Sequence, residues 1–208
     1  MASARRPDRL QQLHSEMQGA GAALEIFPAD ATQPADMDRL AQHTREKLGA
    51  IDILVYATGT NTPDRALTRL TPPVWDHLIA ANLSGAYYAT QAVLPGMRER
   101  GSGHLIYISS ISGMVPDVSG AAYQASKRGL LGLAHAIRVE EKENGIRTCV
   151  ICPGLVDTEL LDRRPVKPSA ETLAKALLPE DVAETVLAVA RLPHHVCVPE
   201  MQVVPAYL

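Results

Sequence analysis

The segment AAYQASKRG places a tyrosine and a lysine four residues apart. On a helix, Tyr123 and Lys127 would share one face, because side chains at i and i+4 are neighbours. A phenol has a pKa near 10 and is a poor base at neutral pH, but a nearby ammonium group favours the phenolate. The pair could therefore transfer a proton. Because surface helices also carry such pairs without any chemical role, the rest of the chain must decide between the two interpretations.

Two further polar residues lie at positions that could serve the same chemistry. Ser110 precedes Tyr123 by 13 residues and directly follows the apolar run HLIYIS. Asn82 lies inside a helical pattern, where asparagine has a poor propensity and needs a reason. That reason could be a role in a site, or a local bend at which the side chain bonds its own backbone.

The bulk composition indicates a globular protein and excludes several functional classes. The 208 residues are 46% hydrophobic and 21% charged, which suits one domain with a sizeable core. The net charge of −3 and the 4% aromatic content argue against binding to nucleic acid. No apolar run approaches the roughly 18 residues that span a bilayer, and MASARRPDRL lacks the apolar segment of a signal peptide. We therefore expect a cytoplasmic protein without membrane partners.

The three cysteines do not form a disulfide framework or a metal site. Cys149 and Cys152 have a C-x-x-C spacing, but they lie in an apolar run typical of a strand. Residues i and i+3 of a strand point to opposite faces, so this pair should occupy the core. Free buried cysteines fit a reducing cytoplasm.

Helical patterns alternate with apolar runs along the whole chain. This alternation predicts a single α/β domain over residues 1–208, with a doubly wound parallel sheet covered by helices on both faces. The strands are expected at 22–27, 51–59, 104–110 and 146–152, with a final extended segment after residue 194. Helices are expected at 6–21, 34–49, 72–100, 121–143 and 179–192, with Pro95-Gly96 kinking or ending the third.

Small or polar residues follow each predicted strand. In an open parallel sheet, ligands bind at the carboxyl ends of the strands. The residues that the chain brings to this edge are Asp30, Ala31, Gly59, Ser109, Ser110, Pro153, Gly154 and, slightly later, Thr158. Any one of them could be ordinary turn chemistry, but together they indicate a binding edge.

These motifs, in this order, resemble the classical short-chain dehydrogenase/reductase family. The matching pieces are ADAT, IDILVYATG, NLSGAYYATQAVLPGM, GHLIYISSISG, YQASK and ICPGLVDTEL. The resemblance implies a Rossmann-like fold and a nicotinamide-dependent oxidoreductase that acts on a small alcohol or carbonyl compound. It also implies a homodimer or homotetramer that pairs through the helices at 72–100 and 121–143.

The resemblance implies a role for each polar residue of the site. Tyr123 would be the general acid/base, and Lys127 would lower its pKa and bind the ribose of the nicotinamide. Ser110 would hydrogen-bond the substrate oxygen, and Asn82 would hold a water that links Lys127 to solvent.

Further residues match the cofactor positions of the family. Asp30 and Ala31 match the adenine site, and Gly59 is the glycine kept from the family's N-N-A-G motif. The residues that match the nicotinamide end are Pro153, Val156 and Thr158.

Two arginines favour NADP(H) over NAD(H) as the cofactor. Arg5 and Arg6 stand where the family places an acid for the ribose hydroxyls of NAD or arginines for the 2′-phosphate of NADP. Planar guanidinium groups suit a phosphate. The alternative is a solvated charge cluster ahead of a helix.

Two motifs depart from the family pattern. No T-G-x-x-x-G-x-G loop, which would bind the pyrophosphate at a helix N-terminus, is found in these 208 residues. We expect a truncated N-terminus, either from a gene model that begins at an internal methionine or in a real short product. The missing strand should leave a cleft and unpaired strand edges. The alternative function is therefore a non-catalytic fragment or an assembly protein that cannot hold the dinucleotide.

The second departure is YATG, where Tyr56 and Ala57 replace the usual asparagines and leave the local stability of this loop open.

Overall fold

The computed structural model describes residues 1–207 of the protein. Six strands alternate with seven α-helices in this part of the chain. The strands are β1 (Ala2–Ala4), β2 (Ile26–Pro28), β3 (Ile53–Tyr56), β4 (Gly103–Ile108), β5 (Ile146–Pro153) and β6 (Glu200–Val203). The helices are α1 (Pro7–Gly19), α2 (Pro34–Leu48), α3 (Pro72–Ile79), α4 (Gly85–Arg100), α5 (Ala121–Glu141), α6 (Ala170–Leu173) and α7 (Pro179–Ala190).

All strand pairs are parallel, but the strands form two sheets. Strands β3, β4, β5 and β6 pair in that order, while β1 pairs only with β2. The helices flank the sheets, so the Rossmann-like α/β class is confirmed. The division into two sheets differs from the single sheet that the alternation of helices and strands predicts. It agrees with the cleft and the unpaired strand edges that the lack of a T-G-x-x-x-G-x-G loop predicts.

The core lies on both faces of β4 and β5. Cys149 packs on one face with Ile106 and Val189, whereas Cys152 packs on the other within the larger core. Both cysteines are free and fully buried. The prediction that the C-x-x-C pair points to opposite faces of a strand is therefore confirmed.

The prediction that β3 is buried on both faces is wrong. The side chains of Ile53 and Val55 are each 43% exposed. They line a cavity of about 1100 Å³ that also contacts residues of the β1–β2 sheet, among them Ser3 and Ala4. β3 pairs only with β4, so its other edge faces this cavity. Burial of a strand requires neighbours on both sides, and an apolar run alone does not reveal whether they exist.

The long helix predicted over 72–100 is interrupted, although not at the proline. Residues Ala80–Ser84 form one turn of π-helix between α3 and α4. Pro95 lies inside α4, which continues to Arg100. Asn82 lies within this π-helical turn. Its side chain bonds Thr60 and Ser126 and not its own backbone, so the explanation of a local bend closed by its own backbone is wrong.

The structure also bears on membrane association. Within residues 1–207, every helix is too short or too polar to cross a bilayer.

Candidate active site

Tyr123 and Lys127 lie on one buried face of α5. Their exposed fractions are 8% and 4%, although both carry polar groups. The Lys127 Nζ atom lies 5.8 Å from the centroid of the Tyr123 ring and donates a hydrogen bond to the Ile108 carbonyl at 2.9 Å. The predicted i, i+4 pair is thus brought together at the carboxyl end of β4.

The turn after β4 is fixed against the same helix. The Ser109 Oγ atom donates to the Lys127 carbonyl at 2.8 Å, and the Ser110 Oγ atom donates to the Ser112 Oγ atom at 3.2 Å. A Cβ atom on Gly113 would lie 2.9 Å from the backbone of Lys127, so only glycine allows this approach. The turn therefore holds Ser110 beside Tyr123.

Asn82 connects the loop after β3 to α5. Its side chain is fully buried; Oδ1 accepts from the Thr60 backbone N–H at 2.7 Å. Its Nδ2 donates to the Thr60 carbonyl and to the Ser126 Oγ atom, both at 3.0 Å. π-Helical turns often occur at functional sites, and this one turns the amide toward the loop that carries Gly59. The contacts show a clamp on that loop.

Close packing surrounds the loop after β3. A Cβ atom on Gly59 would lie 3.1 Å from Lys127 Nζ, so the glycine lets the loop pass beside the amine. Tyr56, whose effect on local stability the sequence leaves open, is 4% exposed and donates to the Ala81 carbonyl at 2.7 Å. A Cβ atom on Gly85 would lie 2.3 Å from that phenol oxygen. The phenol therefore ties β3 to the π-helical turn.

The electrostatics of the pair differ from the sequence expectation. Burial raises the pKa of Tyr123 and outweighs the neighbouring Ser110 hydroxyl, which lowers it. Asp117 raises this pKa further, whereas the positive charges of Arg164 and Arg65 lower it. Burial also lowers the pKa of Lys127 to about 8. The positive charges of Arg164 and Arg65 thus favour the phenolate, and Lys127 Nζ lies 5.8 Å from the ring centroid.

A cavity of about 740 Å³ opens above the proton-transfer pair. Ser110, Tyr123 and Lys127 line one side of it. The end of β5 and the loop after it line another side. They contribute three residues that the sequence assigns to the nicotinamide end, namely Pro153, Val156 and Thr158. Asn82 does not line the cavity and lies behind the Gly59 loop.

The predicted adenine-end residues line the larger cavity. These residues are Arg5, Arg6, Asp30 and Ala31. The two cavities share Ala57, Gly59, Glu159 and Leu160 in their walls, so they meet beside the Gly59 loop. The structure therefore places all predicted cofactor residues along one path.

Charged groups at the adenine end already have partners. Glu159 accepts from Arg6 at 3.1 Å and from Arg9 at 3.0 Å, with all three side chains more than half exposed. Burial alone would raise the pKa of Asp30, but hydrogen bonds from Thr32, together with the charge of Arg5, keep it below its ordinary value. Asp30 is thus an anion near Arg5.

Sequence reasoning missed three charged residues of the smaller cavity. Arg65, Asp117 and Arg164 line it together with Tyr123. They lie in irregular segments, where neither helical nor strand periodicity indicates orientation. A charged residue shortly after a strand end was the only available signal, and it is a weak one.

Comparisons with known proteins agree with this geometry. The model of the family described as short chain dehydrogenase matches residues 1–168. An uncharacterized oxidoreductase of Staphylococcus aureus strain N315 is 33% identical over 201 residues, which cover 97% of this chain and 84% of that protein.

Two solved structures extend the comparison to three dimensions. The closed form of a serine dehydrogenase complexed with NADP+ is 33% identical, with a TM-score of 0.88 over 97% of this chain and 83% of that one. A metagenomic short-chain oxidoreductase in complex with NADP is 29% identical, with a TM-score of 0.83 over 99% of this chain and 85% of that one.

Proposed function

The chain belongs to the short chain dehydrogenase family, and from that premise we propose that it is an NADP(H)-dependent oxidoreductase of small alcohols or carbonyl compounds. The observation that carries the proposal is the buried arrangement of Ser110, Tyr123 and Lys127 at the wall of one cavity. A phenol, a hydroxyl and an amine that converge in a cleft are the groups needed to move a proton at a substrate oxygen.

The residues present fit a dinucleotide at its two ends. Arg5, Arg6 and Asp30 would hold the adenosine end, and Lys127, Val156 and Thr158 would hold the nicotinamide end. When bound, the nicotinamide supplies or accepts the hydride. The close approach of Gly59 to Lys127, where a Cβ atom would meet Nζ at 3.1 Å, keeps the path between the two ends free of a side chain.

Each polar side chain of the site has its own role in the proposed proton transfer. The Ser110 hydroxyl holds the substrate oxygen within reach of the Tyr123 phenol, which donates the proton in reduction and accepts it in oxidation. Lys127, with its pKa lowered to about 8 by burial, can exchange a proton near neutral pH. Asn82 keeps the Gly59 loop against α5 through Thr60 and Ser126, and this contact fixes the wall beside Lys127.

The preference for NADP(H) rests on the arginines at the adenine end. Arg5 and Arg6 line the larger cavity close to Asp30, and guanidinium groups bind phosphate in a planar, bidentate geometry. Two of the structural neighbours carry NADP+ and NADP, which supports the same choice.

The substitution Tyr123→Phe tests the proposal. We expect turnover to fall by on the order of 10³-fold, because the proton donor is lost, while the dissociation constant for NADPH stays nearly unchanged. Tyr87→Phe is a matched control, since Tyr87 is 46% exposed on α4. The measurement is NADPH oxidation with a panel of aldehydes and ketones, beside NADPH fluorescence titration. Equal activity in Tyr123→Phe would refute the assigned role.

A second candidate function is a protein of this fold that does not bind a dinucleotide. The observation that favours it is that residues 1–207 contain no T-G-x-x-x-G-x-G loop to bind a pyrophosphate. The cavity of about 1100 Å³ lies beside the edge of β3. The same fluorescence titration decides between the two functions: absence of binding at millimolar NADPH favours the second.

A further inference from the structure

Two guanidinium groups face the cavity that holds Tyr123. Arg65 lies in the loop after β3, and Arg164 follows the single turn at Glu159–Arg163. Nearly 100 residues separate them in the chain, yet both lie close enough to Tyr123 to act on its charge. They also act on each other, because the charge of Arg164 lowers the pKa of Arg65 beyond the effect of burial.

Arg65 is held in place by backbone contacts. Its Nε atom donates to the Thr62 carbonyl at 3.1 Å, and its Nη2 atom donates to the Arg163 carbonyl at 2.6 Å. Gly120, at φ +92°, allows this approach, since a Cβ atom there would lie 2.7 Å from the Cβ atom of Arg65. A guanidinium has five N–H donors, so these two contacts leave donors free.

Neither arginine has a carboxylate partner in the part of the chain that the structure describes. Within residues 1–207, no Asp or Glu oxygen lies within the 4.0 Å of an ion pair from Arg65 or Arg164. The Arg164 guanidinium also makes no hydrogen bond there, although the residue is only partly exposed. The two adjacent cations repel each other, although the negative charge of Asp117 also acts on Arg65 and raises its pKa. An anion between the two guanidinium groups would relieve that repulsion.

The acids of the same cavity are already satisfied. Asp117 accepts from the Ser112 hydroxyl, from the Ser119 N–H at 2.8 Å and from the Ser119 Oγ atom at 3.0 Å. Glu159 is engaged by Arg6 and Arg9 from the other side. Asp117 remains a negative charge near Arg65, but the effect of Arg164 on the pKa of Arg65 exceeds that of Asp117. The cavity therefore still favours an additional negative group.

We propose that Arg65 and Arg164 form a carboxylate subsite, so that the substrate is a small hydroxy acid or oxo acid. This inference rests on the proposed function, since it places the substrate hydroxyl or carbonyl at Ser110 and Tyr123. The carboxylate of the same molecule lies between the two guanidinium groups. Arg–carboxylate hydrogen bonds are charge-assisted and directional, so they also orient the reacting carbon.

The test compares acids with neutral analogues of the same shape. The probes are lactate, 3-hydroxybutyrate and 4-hydroxybutyrate and their three amides, and binding is measured by ligand-observed NMR with and without millimolar NADP+. We expect at least one acid to bind on the order of tenfold or more tightly than its amide. Arg164→Gln should remove most of that preference, and Arg164→Lys should restore part of it.

A matched control separates the subsite from general surface charge. Arg69 follows Arg65 in the same loop but is 61% exposed and pairs with Asp64 at 3.2 Å, so Arg69→Gln should keep the acid-to-amide ratio. Arg65→Gln removes a contact between two loops, so Arg164→Gln alone carries the test if that variant does not fold. The proposal is overturned if no acid is preferred, or if Arg164→Gln keeps the full preference.

The failure of this inference is distinguishable from failure of the proposed function. If turnover survives in Tyr123→Phe, the oxidoreductase mechanism is refuted. The ratio of acid to amide affinity is measured without turnover, so it still tests the carboxylate subsite. Turnover of neutral alcohols and their acids at equal rates refutes the carboxylate subsite and leaves the oxidoreductase intact.

Discussion

The two sheets of this protein bury their strands to very different extents. In the four-stranded sheet, five of six residues of β4 and seven of eight residues of β5 are buried. In the two-stranded sheet, none of the three residues of β1 or of β2 is buried. The residues predicted to transfer protons stand on the first sheet and its helices, and the arginines predicted to select the cofactor follow the second.

The difference teaches that one chain can position two sites with unequal rigidity. Tyr123, Lys127 and Asn82 are buried in the packed core. Asn82 and Lys127 also form hydrogen bonds of 2.7 and 2.9 Å to neighbouring segments. Arg5 and Arg6 are exposed and lie at the end of a three-residue strand. We therefore expect substitutions to cost stability in the first region and to change mainly ligand affinity in the second.

The largest expected effect comes from a matched pair of isoleucines on adjacent strands. Ile106 of β4 is fully buried, whereas Ile53 of β3 is 43% exposed. Ile106→Ala should lower the free energy of unfolding by about 2–5 kcal/mol, because it leaves a cavity in the core. Ile53→Ala should lower it by about 1 kcal/mol or less, since little apolar area is lost. Urea denaturation of both variants measures the contrast, and similar losses would contradict it.

The second expected effect concerns the lysine buried in the first region. Burial lowers the pKa of Lys127 from 10.5 to about 8, which corresponds to about 3 kcal/mol at 1.36 kcal/mol per pKa unit. Between these two pKa values the unfolded chain binds more protons than the folded one, so this lysine makes stability rise with pH. At and below pH 8 the lysine opposes folding in the absence of ligand.

The substitution Lys127→Met measures this cost. At pH 7 the free energy of unfolding of the variant should be up to about 3 kcal/mol larger than that of the wild type. This difference should shrink as the pH rises from 8 toward 10.5. Lys142→Met is the control, because that side chain is 66% exposed. A variant that is less stable than the wild type throughout would show that the hydrogen bond to the Ile108 carbonyl outweighs the burial of charge.

The sequence was sufficient where local pattern determines structure. The period of the apolar residues predicted α1, α2, α5 and α7, and the alternation of strand faces placed Cys149 and Cys152 on opposite sides of β5. The spacing of Ser110, Tyr123 and Lys127 predicted that they lie together, and all three line one cavity. In each case the relevant interaction is set within one element or at a shared strand end.

The sequence was insufficient where lateral or long-range contacts decide. The run IDILV is equally apolar whether or not a strand lies beside it, so the run itself does not reveal the exposure of Ile53 and Val55. The absence of a T-G-x-x-x-G-x-G motif predicted a cleft and unpaired strand edges, but not which residues they would expose. Arg65 meets the segment of Arg164 through a hydrogen bond to the Arg163 carbonyl, 98 residues away. No periodicity links two loops at such a distance, and the pKa of Tyr123 depends on both.

The smallest expected effect lies in the second region, at Glu159. This carboxylate binds Arg6 and Arg9, so it competes with a 2′-phosphate for the same guanidinium group. Because exposed ion pairs contribute little to stability, Glu159→Gln should fold normally and release Arg6. We expect the ratio of NADPH to NADH affinity to rise by about two- to fivefold, since an exposed charge contributes less than about 1 kcal/mol.

Fluorescence titration with both dinucleotides measures this ratio. Arg6→Gln should lower the ratio. Glu171→Gln should leave it unchanged, because Glu171 is 84% exposed and pairs with Lys175 and not with Arg6 or Arg9. A lower ratio in Glu159→Gln would mean that the carboxylate orients Arg6 for the phosphate instead of competing with it. In that case the second region would be more ordered for its ligand than its exposed strands indicate, and the contrast between the two sheets would concern stability alone.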